Sequence, residues 1–146
     1  MHQLFVVLHS VNRFILIILL LVVLFQSLKG WLGKAPFGKS DDRASLFLFI
    51  STHTQLLLGL VLYLISPLVQ FSGASMKDAT ARYWLVEHFT GMLIAVILIS
   101  LGRILTKKLT DSTAKHKRTF LYNAAALVII FVIINLSHRG FFSISW

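Results

Sequence analysis

The chain of 146 residues contains no cysteine, only two prolines and only five acidic residues, and 13% of its residues are charged. The absence of cysteine excludes disulfide bonds, thiolate metal sites, all-cysteine iron–sulfur clusters and thiol catalysis. Hydrophobic residues make up 57% of the chain, more than a water-soluble core of this size can hide. The composition therefore excludes a soluble globular domain, a disordered chain and a secreted disulfide scaffold.

The motifs of several enzyme classes are also missing. The chain has no Gly-rich phosphate loop, no HExxH and no GxSxG, which are the signatures of nucleotide-binding proteins, zinc proteases and serine hydrolases. Four of the five acidic residues lie in predicted loops, so a mechanism that uses a pair of carboxylates has few groups available. The sequence gives no indication of hydrolytic chemistry.

Long apolar runs are what the chain has in abundance. Four of them are long enough to cross a bilayer, which takes about 20 helical residues, and they cover about residues 4–28, 46–68, 83–105 and 120–140. Because the connections are short, neighbouring spans are expected to run antiparallel. We predict an all-α fold in which residues 1–146 form a single integral membrane domain, a four-helix up-and-down bundle.

Local signals predict where the second span begins and ends. Ser40, followed by Asp41 and Asp42, has the pattern of a helix N-cap with acidic residues in the first turn. Pro67 predicts the end of the span, because the residue before a proline avoids the helical conformation.

Positive charge is concentrated on one side of the predicted bundle and predicts its orientation. The formal net charge is +9. Ten of the fourteen cations lie in or beside the loops after spans one and three, namely Lys29, Lys34, Lys39, Arg43, Arg103, Lys107, Lys108, Lys115, Lys117 and Arg118. The positive-inside rule places these loops in the cytoplasm and both termini on the non-cytoplasmic side. We therefore expect a multi-pass protein of the bacterial inner membrane whose partner is the bilayer and not nucleic acid.

Few polar residues interrupt the spans, and such residues tend to mark function. Six of them form the candidate site: His9, Arg13, His53, Glu87, His88 and His138. At about 1.5 Å per helical residue, His9 and His88 lie at a similar level near the outer side, and His138 lies at the outer end of span four. His53 lies nearer to the middle of the membrane.

Two histidines at one level on two parallel spans suggest a haem site. Haem iron accepts two axial imidazoles, and the interior of a helix bundle commonly holds it. We therefore predict His9 and His88 as the axial ligands of a haem b. Arg13, one turn beyond His9, has either the haem propionates or Glu87 as a candidate partner. His53 is assigned to a second haem or to a quinone site.

Plainer interpretations exist for several of these residues. A lone histidine in a membrane helix can form an interhelical hydrogen bond, and His138 can anchor a helix end at the interface. His116, within the KHKR segment, is expected in the basic loop. The aromatic residues near the predicted interfaces, Trp31, Tyr83, Trp84 and Trp146, are explained by the aromatic belt. Gly59 is expected to allow close approach of two helices.

The chain resembles the small four-helix membrane proteins labelled cytochrome b in bacterial genomes. The resembling segments are LHSVNRF, THTQLLLGLVLYLISP, YWLVEHFTGMLIAVILISLGR and KHKRTFLYNAAALVII. The resemblance implies an inner-membrane b-type haem protein that carries one or two haems and transfers electrons. It implies exchange of electrons with quinone or with a partner oxidoreductase of the respiratory chain.

A second resemblance is to a half-size haem A synthase, through Glu87-His88 and THTQLLLGL. It implies a haem-modifying enzyme in which Glu87 or His53 takes part in proton or radical steps. The EHxxR pattern of that family is absent, because Phe-Thr-Gly-Met follows His88. A third hypothesis is a non-haem subunit of a respiratory complex, structural or binding copper or zinc through His9, His88, His138 and Glu87. A homodimer is compatible with each hypothesis.

Overall fold

The computed structural model describes residues 2–137. Within that range the chain is helical without strands, and four helices are long and apolar enough to cross a membrane: α1 (His2–Gly33), α2 (Lys39–Ile65), α3 (Ala79–Lys107) and α4 (Ser112–Leu136). A short 3₁₀ helix, Gly73–Lys77, lies in the connection between α2 and α3. The prediction of an all-α fold with four helices long and apolar enough to span a membrane is confirmed. His138 and Trp146 lie outside the described residues.

The four helices form an antiparallel ring. Contacts join the end of one helix to the start of a neighbour, namely α1 to α2 through Gln26–Ser40, α3 to α2 through Arg103–Asp42 and α3 to α4 through Thr106–Thr119. α1 packs against α2 and α4, and α3 packs against the same two helices. α1 and α3 therefore run parallel to each other across the diagonal of the bundle.

Helix ends follow from local capping. α2 ends at Ile65, just before Ser66 and Pro67, as predicted. Its N-cap is Gly38 rather than Ser40, because the Gly38 N–H donates to Asp41 Oδ2 at 3.0 Å. The predicted N-cap was thus two residues too late.

The core of the bundle is a layer of aliphatic side chains in the middle of the helices. Leu20, Leu48, Ile99 and Ala126 represent the four helices in this layer, and all of them are buried. Large apolar side chains also cover the outside, as at Phe25, which is 69% exposed. A surface of this kind is unfavourable in water and suits lipid chains, which are as apolar as leucine.

Small residues bring α4 close to its two neighbours. A Cβ atom at Gly91 of α3 would overlap the Ile133 side chain of α4. At Gly30 of α1, the added atom would overlap the imidazole of His116. His116 lies within α4 and is 1% exposed, so the expectation that it belongs to an exposed basic loop is wrong.

Amide side chains connect α1 to α2 at the level of His9. Asn12 Nδ2 donates to the Ser51 carbonyl at 2.9 Å and to Gln55 Oε1 at 2.8 Å. Ser51 Oγ donates to Asn12 Oδ1 at 3.1 Å, and Gln55 Nε2 donates to the His9 carbonyl at 3.0 Å. Hydrogen bonds between membrane helices stabilise their packing, and this network fixes the register of α1 against α2.

Replacement of Asn12 by leucine is expected to lower the free energy of unfolding by about 1–2 kcal/mol, because it removes three cross-helix hydrogen bonds. Unfolding by sodium dodecyl sulfate in detergent micelles measures this change. Thr54→Val is the matched control, since Thr54 Oγ1 donates only to the Ile50 carbonyl of its own helix. Equal losses in the two variants would contradict a role of the network in helix packing.

Candidate functional site

A cavity of about 120 Å³ lies between the helices in the half of the bundle that contains the start of α1. α2 and α3 supply most of its wall, and the side chains that line it are largely apolar. The polar and aromatic lining residues on which the site depends are His9, Arg13, Gln55, Tyr63, Trp84 and His88. A mostly apolar cavity with a few convergent polar groups is the usual form of a ligand site.

His9 enters the cavity from α1. Its side chain is buried at 8% exposure, and its Nδ1 atom has no hydrogen-bond partner among the described residues. Its Nε2 atom faces Gly59 of α2 and lies 3.4 Å from the position that a Cβ atom would occupy there. A Cβ atom there would be in ordinary van der Waals contact with the imidazole, so Gly59 lies directly beside His9 where α1 packs against α2.

A π-helical turn, Tyr83–Glu87, leads directly into His88 on α3. The wider turn bonds the His88 N–H to the Tyr83 carbonyl five residues earlier, and such turns occur frequently at functional sites. It also brings the Tyr83 hydroxyl to 3.4 Å from His88 Nδ1. The side chains of residues 83 and 88, which a regular α-helix would separate, thus lie side by side.

The Tyr83 hydroxyl connects His88 to α4. It donates its proton to the Ile133 carbonyl at 2.8 Å. Because the hydroxyl proton of Tyr83 is already bonded to that carbonyl, its oxygen can only accept a hydrogen bond from the imidazole. The proton of that second hydrogen bond therefore lies on His88 Nδ1. This contact engages Nδ1, so ligation by His88 would use Nε2. A second partner on the remote nitrogen is the usual support of a ligating histidine.

Aromatic rings hold the His88 imidazole in place. The Trp84 ring centroid lies 5.2 Å from that of His88, and Tyr83 and Trp84 are themselves in edge contact at 4.8 Å. Both aromatic residues are buried inside the bundle. The expectation that they form part of an interfacial belt is therefore wrong, and their role is to pack against His88.

Arg13 places a positive charge in the wall of the same cavity. It is 5% exposed, and its guanidinium lies 4.9 Å from the centre of the Phe14 ring. Arg13 lines the cavity together with His9 and His88. Three of the residues predicted from the sequence, His9, Arg13 and His88, are therefore brought together at one cavity.

Two other predicted residues lie elsewhere. His53 does not line the cavity; its Nδ1–H donates to the Phe49 carbonyl of α2 at 2.8 Å. Glu87 pairs with Arg82 at 2.8 Å, in a partly exposed salt bridge. The Glu87 carboxylate, which the sequence suggested as a partner of Arg13, is thus paired with Arg82. The sixth candidate, His138, lies outside the described range.

The donor set of the cavity decides which cofactors it could hold. Among residues 2–137, no group of three or more His, Asp or Glu side chains is placed to hold a metal ion. The site offers two imidazoles from diagonal helices, one cation and apolar walls. Haem needs two axial ligands, an apolar environment and a partner for its propionates, and the donor types present match these needs. The cavity of about 120 Å³ would have to widen on binding to hold the porphyrin.

Comparisons with known proteins add no family to this description. No family model, no curated protein and no solved structure matches the chain. The class that the fold defines is a helical protein with four candidate membrane spans and a mostly apolar cavity between them.

Proposed function

We propose that this chain is an inner-membrane b-type haem protein for electron transfer, with His9 and His88 as the axial ligands of one haem. The observation that carries the proposal is the presence of two imidazoles, buried His9 and half-buried His88, at one apolar cavity, on helices that lie diagonally across the bundle. Each ring would approach the iron from its own side of the cavity. Haem supplies a one-electron redox couple when it is bound.

The chain's own residues would set the properties of that couple. Arg13 would pair with a propionate and place a positive charge near the site, which favours the reduced state electrostatically. The apolar side chains would exclude water. Tyr83 would orient His88 and, by accepting a hydrogen bond from its Nδ1–H, increase the basicity of the ligand.

The Tyr83→Phe variant is expected to bind haem with a midpoint potential raised by about 20–60 mV. Loss of a hydrogen bond worth about 0.5–1.5 kcal/mol makes His88 a weaker donor to the oxidised iron. Potentiometric titration of the visible spectrum measures the shift. Tyr63→Phe is the matched control, because Tyr63 lines the same cavity but its hydroxyl donates to the Leu85 carbonyl. An unchanged potential in Tyr83→Phe would contradict the role of Tyr83.

The proposed topology puts the two basic loops in the cytoplasm and both termini on the opposite side. Ten cations lie at the end of the bundle where α1 and α3 finish, and the cavity lies toward the other end. In this orientation the haem is near the outer leaflet, where quinone in the bilayer or a partner respiratory complex would exchange electrons with it. A homodimer would preserve the same arrangement.

The geometry favours electron transfer over the other two hypotheses. A haem-modifying enzyme of the haem A synthase type would use Glu87 or His53, and both side chains lie away from the cavity. A copper or zinc site would need a third ligand beside His9 and His88; of the two candidates, Glu87 is paired with Arg82 and His138 lies outside the described residues. His53, outside this cavity, is not proposed as a ligand of the same haem.

A difference spectrum between the reduced and oxidised purified protein tests the proposal. The protein is produced with added haem precursor and reduced with dithionite. The expected result is a Soret band and an α band, with about one iron per chain by mass spectrometry. Absence of both bands and of iron from a folded, helical preparation would overturn the proposal. Copper or zinc in place of iron would overturn it in favour of the metal site.

A further inference from the structure

A second cavity lies at the opposite end of the bundle and is not used by the proposed haem site. It measures about 390 Å³ and lies between the loop after α1, the first turns of α2 and the first turn of α4. Its lining residues are Phe37, Gly38, Lys39, Asp42, Arg43 and Lys115. The cavity is open on one side, and Lys39 and Arg43 in its wall are exposed.

Positive charge dominates this cavity. It contains three cations, Lys39, Arg43 and Lys115, and one acid, Asp42. The Asp42 carboxylate already accepts a hydrogen bond at 3.3 Å from Arg103, which is outside the cavity lining. In the described part of the chain, the three cations have no carboxylate within 4.0 Å. The cavity therefore has three positive charges whose counter-ion the protein itself does not supply.

Contacts with α4 hold the wall of this cavity in place. The Phe37 N–H donates to Ser112 Oγ at 3.0 Å, and the Phe37 ring packs against His116 at 5.1 Å. Lys115 Nζ lies 5.5 Å from the centre of the same ring. These contacts connect the α1–α2 loop to the first turn of α4, so cations from two separate helices converge on one open hollow.

Two further acids near this end serve as helix caps. Asp41 Oδ2 accepts the Gly38 N–H at 3.0 Å, and Asp111 Oδ2 accepts the Ala114 N–H at 2.9 Å. Both carboxylates are engaged by backbone groups of α2 and α4. An external anion is therefore a chemically suitable partner for the three cations.

We propose that this cavity binds the phosphate group of an anionic phospholipid from the adjacent leaflet. Arginine and lysine together form the usual recognition set for phosphate, and basic pockets between membrane helices bind anionic head groups. The cavity lies where α2 and α4 begin, at the level expected for lipid head groups. Free phosphate carries the same chemistry, and the test separates it from the lipid. The proposal does not depend on the haem.

The test is native mass spectrometry of the full chain released from detergent, with phosphatidylglycerol or phosphatidylcholine added. The wild-type protein is expected to retain phosphatidylglycerol in preference to phosphatidylcholine. The triple variant Lys39→Gln, Arg43→Gln, Lys115→Gln is expected to weaken retention of phosphatidylglycerol by about tenfold or more. The matched control is Lys29→Gln, Lys107→Gln, Lys108→Gln, which removes the same charge from exposed positions outside the cavity.

Each other result would overturn the proposal. Equal retention of the two lipids by the wild-type protein would show that the cavity does not select an anionic head group. Equal weakening in the two triple variants would show that general attraction between charges is sufficient. A further measurement adds inorganic phosphate, at the same concentration as the lipid, to the wild-type protein with phosphatidylglycerol bound. Full displacement of the lipid by that phosphate would assign the cavity to the free ion.

Discussion

Replacing either His9 or His88 by alanine is expected to remove the haem absorption bands of the purified protein, whereas replacing His53 leaves them in place. Both imidazoles line the cavity, and each is proposed to supply one of the two axial bonds to iron. Truncation of either side chain leaves an apolar wall where a ligand is needed. The His53 side chain is held by the Phe49 carbonyl outside the cavity, so His53→Ala removes a membrane histidine without changing the site.

The experiment compares the three alanine variants in parallel. Haem content per chain is measured from the reduced-minus-oxidised spectrum, and helical content is measured by circular dichroism to show that each variant is folded. Loss of the bands in His53→Ala with retention in His9→Ala would contradict the assignment of the ligands. Loss in all three variants with normal helical content would contradict a site restricted to this cavity.

Gly91→Leu is expected to lower the free energy of unfolding by about 1–3 kcal/mol, the usual effect of overpacking a tight interface. A side chain at Gly91 would overlap Ile133, so α3 and α4 would have to separate. The Ile133 carbonyl is also the acceptor of the Tyr83 hydroxyl. The same substitution is therefore expected to disturb the His88 environment and to reduce haem content.

Gly33→Leu is the matched control for that substitution. No atom lies within 4 Å of the position of an added Cβ at Gly33, so its effect on stability is expected to be within about 0.5 kcal/mol. Unfolding by sodium dodecyl sulfate and haem content are measured for both variants. Equal stability of Gly91→Leu and the unsubstituted protein would contradict the close contact between α3 and α4.

The membrane fold followed from the composition because long apolar runs have few other solutions. The convergence of His9, Arg13 and His88 was also predictable. A polar residue in a membrane helix is expected to face the bundle interior, and residues at similar depth on parallel helices then meet. The short connections indicated the antiparallel order of the helices, and the structure adds that α1 and α3 are diagonal.

The contacts of Tyr83 and Trp84 with His88 could not be predicted from the sequence, because they depend on a π-helical turn within α3. With 3.6 residues per turn, positions 83 and 88 lie on different faces of a helix. The π-helical turn brings them together and turns Tyr83 and Trp84 inward. Aromatic residues close to the end of a span otherwise suggest an interfacial belt, so the sequence pattern alone pointed to the wrong environment.

The roles of Gly59, His116 and Glu87 depend on tertiary contacts. Gly59 is adjacent to His9 only because the Asn12–Gln55 network sets the register of α1 and α2. His116 follows a lysine and precedes another in the sequence, yet it is covered by Gly30 of α1. Glu87 is beside His88 in the chain but forms its salt bridge with Arg82. His116 and its flanking lysines, like Glu87 and His88, are adjacent in the sequence but make different tertiary contacts.

The central claim is that His9 and His88 together bind one haem iron. Near-infrared magnetic circular dichroism of the oxidised protein tests it most directly, because the charge-transfer band of low-spin haem depends on the pair of axial ligands. The account predicts a band typical of two imidazole ligands in the wild-type protein, lost in His9→Ala and in His88→Ala and retained in His53→Ala. A high-spin spectrum, or a band typical of a different ligand pair in the wild-type protein, would contradict it.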